Sequence, residues 1–257
     1  MKVIILCGGL GTRLKEETEF RPKPMVNIGS RPILWHIMKN YAHYGFNEFI
    51  LALGYKGEMI KEYFHNYEVM NSDATIELGW PTNRIIHQNH SEAGWRITLA
   101  DTGQQALKGA RLKKLEKYID GDEFMVTYGD GVGNVNIREL LDFHRKHNKM
   151  VTVTGVTPAS QFGKLIVNED MSASFAEKPK EESLISGGFF VFKRSVLDYL
   201  SEDDSCDLEY NILEKLSEKG EVKVYQHGGF WKNMDTIRDM EYLNKLWHEG
   251  KAEWKIW

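Results

Sequence analysis

The chain has 257 residues, 42% of them hydrophobic and 27% charged, with a formal net charge of −4. That is the balance of an ordinary globular protein long enough to bury a sizeable core. It excludes the basic footprint of a nucleic-acid binder, no window approaches the apolar length of a membrane span, and no secretory leader is evident. The expectation is therefore a cytoplasmic protein with no nucleic-acid or membrane partner. The two cysteines, Cys7 and Cys206, form neither a CxxC pair nor a disulfide framework. Cys7 closes an apolar run and reads as a buried, inert thiol.

That run, VIILC (3–7), predicts a buried parallel strand. It leads into GGLGTRLKEETEFRPKP (8–24), which fails two familiar phosphate templates. A P-loop ends in Gly-Lys-Ser/Thr, whereas Gly11 is followed by Thr12 and Arg13. A dinucleotide fingerprint started at Gly9 puts Leu14 where its third glycine belongs, and residues 15–23 lack the apolar stripe of a helix. What remains is a strand and a glycine turn whose N–H groups can converge on an anion. Arg13 adds a planar fork suited to phosphate oxygens, and Lys23 stands on a backbone restricted by Pro22 and Pro24. A plain tight turn with two surface cations is the alternative.

Ser30, as N-cap, and Pro32 open a helix through Ile33, Leu34, Ile37, Met38 and Tyr41, stopped by Gly45. FILALG (49–54) predicts a second buried strand, and Glu58 to Tyr67 a second helix. TIEL (75–78), RIIH (84–87) and RITL (96–99) follow with no helix between them and predict a local antiparallel insertion. In DTGQQALKGARLKK (101–114), the small residues Gly109 and Ala110 leave room for a flat base beside Arg111; an ordinary loop-to-helix join fits as well. FMVTYGDG (124–131) is a strand that ends with Asp130 between two glycines. A carboxylate at the carboxyl end of a parallel strand suits Mg²⁺, although Asp-Gly is also a turn signal.

Ile137 to His147 predicts a helix and MVTVTGV (150–156) a strand. His144 and His147 have a spacing that can bind metal, but nothing nearby completes a zinc set. GKLIVNE (163–169), ISGGFFVFK (185–193) and VKVYQH (222–227) predict further strands, between helices near 194–200, 207–219 and 236–249. Glu177 and Lys178, in AEKPKE, suit a sugar hydroxyl and a phosphate, or a charged surface turn. Asp235 precedes the last helix as either its cap or a second metal carboxylate, with Thr236 the rival cap. Trp247, Trp254 and Trp257 crowd the C-terminal end and read as core or subunit contacts. Strands alternating with helices argue for an α/β fold with a mainly parallel sheet. A glycine cradle, two cations and two aspartates, with no serine–histidine pair, suit in-line attack of one phosphate on another.

LCGGLGTRL…RPKP, YGDG, EKP, GGFF and a late MDT together resemble the sugar-1-phosphate nucleotidyltransferases, from the first strand to the last tryptophan. PKPMVNIGSRPILWHIMKNY, YGDGVGNVNI and FWKNMDTIRD look most like the glucose-1-phosphate cytidylyltransferase branch. The resemblance implies a Rossmann-like nucleotidyltransferase fold, α/β with a mixed, mainly parallel central sheet and helices on both faces. It implies one domain over 1–257, with a nucleotide-binding part about 1–135, a sugar-phosphate part about 136–235, and a C-terminal helix and tail from 236. The implied reaction joins CTP and glucose 1-phosphate into CDP-glucose with Mg²⁺, in a homo-oligomer, for CDP-deoxysugars of surface polysaccharide.

The same resemblance implies that Leu6, Cys7, Gly8, Gly9, Leu10, Gly11, Thr12 and Arg13 wrap the nucleotide and that Lys23 neutralises the reacting phosphates. Ala106 and Gly109 to Arg111 lie by the base, with Arg111 its reader. Asp130 and Asp235 hold Mg²⁺, and Gly129 allows close approach. Glu177 and Lys178 bind the sugar phosphate above Gly188. Three positions depart from the family pattern: Ala106 replaces a hydroxyl residue, Ala110 a glycine and Ser186 an asparagine. The first two keep UTP and dTTP open as alternatives to CTP, and the third keeps the hexose open. A regulatory subunit of the same fold, or a glycosyltransferase, are the readings from other classes.

Overall fold

The computed structural model describes residues 1–79, 83–87, 90–158, 164–167, 173–176 and 184–257. Seven strands make the central sheet: β1 (Val3–Leu6), β2 (Glu48–Leu53), β3 (Arg96–Asp101), β4 (Glu123–Tyr128), β5 (Val151–Val156), β6 (Ile185–Lys193) and β7 (Val222–His227). Their order is β7-β5-β6-β4-β1-β2-β3. Val3 lies opposite both Phe49 and Met125 in parallel register, and β2–β3 and β5–β7 are parallel too. Only β6 runs against its neighbours β4 and β5.

The apolar run of β1 is buried on both sides, and its alternation divides the core. Val3 and Ile5 join one cluster, with α1 (Ile33–His43), α2 (Gly57–His65), α4 (Ile137–His147) and α5 (Ile237–His248) contributing from that side. Ile4 and Leu6 join the other, beside α3 (Lys108–Lys114) and the helical turns of residues 209–218. Side chains of a strand point alternately to opposite faces, so a short all-apolar strand must be covered twice. The expected fold class, helices on both faces of a mixed, mainly parallel sheet, is the one found.

Three local expectations need correcting. The 75–99 region is not one antiparallel insertion: Ala74–Glu77 and Asn83–Ile86 form a hairpin, but RITL belongs to β3, which joins the main sheet beside β2 from Glu48↔Arg96 to Leu53↔Asp101. The chain needed a crossover to reach that parallel edge, and α2 with the hairpin supplies it. Residues 12–18 do form helical turns, Thr12–Leu14 and Lys15–Thr18, too short to need an apolar stripe. α1 starts at Ile33 with Pro32 as its N-cap, while Ser30 lies in the turn of the Asn27–Pro32 ribbon.

The C-terminal tryptophans are an internal cluster. His36 packs edge-on against Trp247 at 4.7 Å between ring centroids, and Trp257 against Trp35 at 5.7 Å. Trp254 is 1% exposed. α5 also grips the segment after Lys23, because Asn244 accepts from the Gly29 N–H at 2.9 Å and donates to the Asn27 carbonyl at 3.2 Å. Gly29 is left-handed (φ 62°), and a Cβ there would lie 2.3 Å from the Trp247 indole nitrogen.

Candidate active site

The chain turns outward from β1 to β2 and β3, then returns to place β4 on the other side of β1. The crevice at such a switch point, outside the carboxyl ends of the strands, is where open α/β sheets bind ligands. Two cavities meet there. The larger, about 550 Å³, is lined by Leu6 to Arg13, by Lys23 and Pro24, by Gln104 to Lys108 and Arg111, and by Tyr128 to Asp130. The smaller, about 220 Å³, lies toward β6 and includes Ile185 to Gly187, Trp231, Asn233 and Asp235. Arg13, Tyr128 and Asp130 line both.

At the junction, Lys23 donates to Asp130 Oδ2 at 2.6 Å and to Asp235 Oδ1 at 2.5 Å. Arg13 meets the other Asp235 oxygen at 2.8 Å, and Asn233 donates to it as well. Burial opposes a charge on Lys23, but the two carboxylates outweigh it and hold its pKa above the ordinary lysine range. A short antiparallel ribbon makes this convergence. Gly131–Gly133 pairs with Trp231–Asn233, Asn233 opposite Gly131, so the residues flanking the ribbon are neighbours. The Met234 N–H donates to the Asp130 carbonyl at 2.8 Å and closes the ribbon end. Asp235 is not the cap of α5. Thr236 is, accepting from the Asp239 N–H while Asp239 accepts from Thr236, and Asp235 is left to point at Lys23.

Two carboxylates converging on one point, with no histidine or cysteine bonded to them among the described residues, are a hard-oxygen set. Mg²⁺ is typically held by one or two carboxylates, with phosphate oxygens and water completing its shell. No cluster of three or more candidate ligands exists among the described residues, so a metal here would depend on its substrates for the remaining positions.

The loop after β1 approaches its neighbours closely. A Cβ on Gly129 would fall 2.8 Å from the Leu6 carbonyl oxygen, and one on Gly8 2.1 Å from the Arg111 guanidinium carbon. Cys7 and Leu6 are buried, as expected of them, and burial pushes the Cys7 thiol pKa up, which makes it unreactive. Arg111 is 4% exposed and ties three strand ends together. It donates to Leu53 O at 3.1 Å, Thr102 Oγ1 at 2.7 Å, Gly103 O at 2.8 Å and Gly8 O at 3.0 Å. Its terminal nitrogens are thus engaged by the protein, and it shapes the cavity wall rather than presenting free donors.

The small residues before Arg111 serve packing. Gly109 and Ala110 do not line the cavity; a Cβ on Gly109 would sit 2.8 Å from both Cys206 O and Cys206 Sγ. Gly188 is likewise not in the cavity wall. It is left-handed (φ 80°), and a Cβ there would lie 2.4 Å from the Tyr128 ring. Ser186 does line the smaller cavity. Glu177 and Lys178 lie outside the described residues. Gln104, Gln105, Lys108 and Tyr128 were not singled out by sequence. The signal for the first three was their place after a strand end, hidden once RITL was read as part of an insertion. His144 and His147 both meet the Thr152 hydroxyl, at 2.8 and 2.7 Å, and serve the fold.

No helix among the described residues is long and apolar enough to cross a membrane. The chain is 48% identical to the glucose-1-phosphate cytidylyltransferases of Salmonella typhimurium and Salmonella typhi, over 100% of each chain. The solved structure of the inositol-1-phosphate CTP transferase from T. maritima shares the fold, with a TM-score of 0.67 at 17% identity over 99% of this chain and 96% of that one. Residues 2–249 match the nucleotidyl transferase family. With a switch-point crevice, a glycine loop and paired aspartates in place, the chain belongs to the nucleotidyl transferase family.

Proposed function

We propose that this chain is a glucose-1-phosphate cytidylyltransferase, converting CTP and α-D-glucose 1-phosphate into CDP-glucose and pyrophosphate. The observation that carries the reading is the pair of adjoining cavities with Lys23, Asp130, Asp235 and Arg13 at their junction. Full-length relatives of that name support the choice of substrates. The nucleotide lies in the larger cavity against residues 6–13 and the sugar phosphate in the smaller, so the nucleotide part spans about 1–135 and the sugar-phosphate part about 136–235. Cytoplasmic placement and a homo-oligomer complete the reading.

The phosphate oxygen of the sugar attacks the α-phosphorus of CTP in line, forming a new P–O bond as the α–β bridge breaks and pyrophosphate leaves. The attacking oxygen is already ionised, so no general base is needed. Two polyanions must be brought together, and preorganised cations at the junction are the largest available source of rate. Lys23 supplies a buried charge between the cavities. Arg13, its side chain 72% exposed, can leave Asp235 for a phosphate without losing packing. When bound, Mg²⁺ held by Asp130 and Asp235 would supply Lewis-acid neutralisation of the phosphates. Arg111 keeps the strand-end loops in the shape that receives the nucleotide. The test is pyrophosphate release from glucose 1-phosphate with CTP, UTP or dTTP, each with and without Mg²⁺. CTP is expected to be the preferred nucleotide; release with UTP but not CTP would overturn the base assignment.

A further inference from the structure

One aromatic residue lines both cavities. Tyr128 lines each of them at the carboxyl end of β4, and it is held from several sides. Its hydroxyl donates to Glu209 Oε1. Lys108 Nζ lies 5.3 Å from the ring centroid and donates to the same Glu209 oxygen at 2.5 Å. Below the ring, the left-handed Gly188 leaves the space that any Cβ would fill. Burial, then the Glu209 charge, raises the phenol pKa and keeps it a donor.

Glu209 is itself firmly placed. Asp207 Oδ1 accepts from the N–H groups of Glu209 and Tyr210 at 2.8 and 2.9 Å. The 204–206 segment is stitched to the start of α3 by Leu107 N–H to Asp204 O at 2.8 Å and Ala110 N–H to Cys206 O at 3.0 Å. Residues 209–213 form a single π turn, a local irregularity often found at functional sites. A bonded chain therefore runs Lys108–Glu209–Tyr128, from a lining residue of the larger cavity to one that lines both.

We propose that Tyr128 is a substrate-contacting residue that partitions the nucleotide cavity from the sugar-phosphate cavity, and that Glu209 is the positioning residue that holds it there together with Lys108. The inference rests on the nucleotidyl-transfer reading of the site. A ring with its hydroxyl tied away presents its edge and face to ligands, so it selects by shape. The sugar phosphate, in the smaller cavity, is the substrate most sensitive to its position.

The test combines steady-state kinetics with calorimetric binding of CTP and glucose 1-phosphate. Tyr128→Ala should raise KM for glucose 1-phosphate at least about tenfold, with a smaller change in KM for CTP. Should that variant fail to fold, Tyr128→Leu takes its place, with the same expected direction. Tyr128→Phe keeps the ring but loses the bond to Glu209, and should raise KM for glucose 1-phosphate about fivefold, as Glu209→Ala does, and less than Tyr128→Ala. Glu209→Ala should raise KM for glucose 1-phosphate about fivefold in the wild-type background but under about twofold in the Tyr128→Phe background, because its effect runs through the phenol. Glu209→Gln, which keeps an acceptor oxygen, should recover most of the loss. Equal effects of Glu209→Ala in both backgrounds, or folded Tyr128 variants with KM unchanged while the wild type turns over, overturn this inference alone. A wild type that neither binds nor turns over the two substrates overturns the reading of function and the inference with it.

Discussion

Replacing Lys23 by alanine tests the centre most directly. Lys23 is 8% exposed, and its ammonium is bonded to two carboxylates at 2.6 and 2.5 Å. Breaking a buried ion pair by deleting one partner usually costs about 3–5 kcal/mol. Here the Asp130 side chain is 31% exposed and Arg13 remains on Asp235 at 2.8 Å, so water and a second cation compensate in part. We expect a loss of about 2 kcal/mol, a fall in Tm of about 4–8 °C for a chain of this size. Turnover should fall further, about 10²–10³-fold, the usual consequence of removing one preorganised charge from a transition state. A third readout separates the two roles. Because Lys23 occupies the space between the carboxylates, millimolar Mg²⁺ should raise the Tm of Lys23→Ala more than that of wild type. The assays are pyrophosphate release at saturating substrate, well below both melting temperatures, and thermal unfolding with and without Mg²⁺. Turnover within tenfold of wild type in a folded variant would refute the placement of Lys23 between the reacting phosphates.

Arg111→Met removes a guanidinium that serves three carbonyl oxygens and the Thr102 hydroxyl at 3.1 Å or less. Unfolding free energy should fall by about 2–4 kcal/mol by urea titration, and KM for CTP should rise; Arg111→Lys should not rescue either, since an ammonium cannot span that fork. His36 accepts from the Trp254 indole at 3.4 Å and lies 3.0 Å from the Ile28 carbonyl, a pairing only the neutral ring completes. Burial lowers its pKa to about 4, below an unfolded value of about 6.5. Its contribution, about 3 kcal/mol, is full above pH 6.5 and is lost as pH falls from 6.5 toward 4. Histidine NMR should place its titration near 4, and a midpoint above 6 would contradict the packing. Trp254→Ala should cost about 3–5 kcal/mol by urea unfolding, because the indole is 1% exposed in the cluster that carries the C-terminal tail; loss below 1 kcal/mol would show the tail to be dispensable.

The sheet was legible wherever a strand is buried on both faces. VIILC, FILALG and ISGGFFVFK announce themselves as apolar runs, and all three fall in β1, β2 and β6 within a residue or so. RITL was harder because β3 is an edge strand with a half-wet pattern, Ile97 to Leu99 only partly buried. Nothing in its composition distinguishes a parallel edge partner of β2 from a third hairpin strand. That choice is made by the crossover before it. The glycines show the same limit. Gly109 beside the base and Gly188 beneath the sugar are the expectation, yet the atoms that would collide with their side chains belong to Cys206 and Tyr128. A glycine signals a close approach, but the sequence does not say to what.

The pairing of Asp130 with Asp235 shows what sequence could and could not carry. Lys23 and Asp235 are 212 positions apart, and no periodicity links them. The helix cap did hold a usable clue: with Thr236 and Asp239 able to complete a capping box, Asp235 was not required for that role. The geometry then changes the meaning of the cluster. Arg13 and Lys23 against Asp130 and Asp235 are two positive and two negative groups, so the centre carries no net charge. A neutral centre gives little long-range attraction to a triphosphate, and the carboxylates repel it at close range. Cations freed from those carboxylates reverse that balance, and anything that neutralises Asp130 and Asp235 frees both at once. On the function proposed above, the same two aspartates would hold the cations in place before substrate binds and release them when a divalent cation arrives with the nucleotide. Such a coupling would tie catalytic charge to substrate binding, which a pair of permanently free cations would not do.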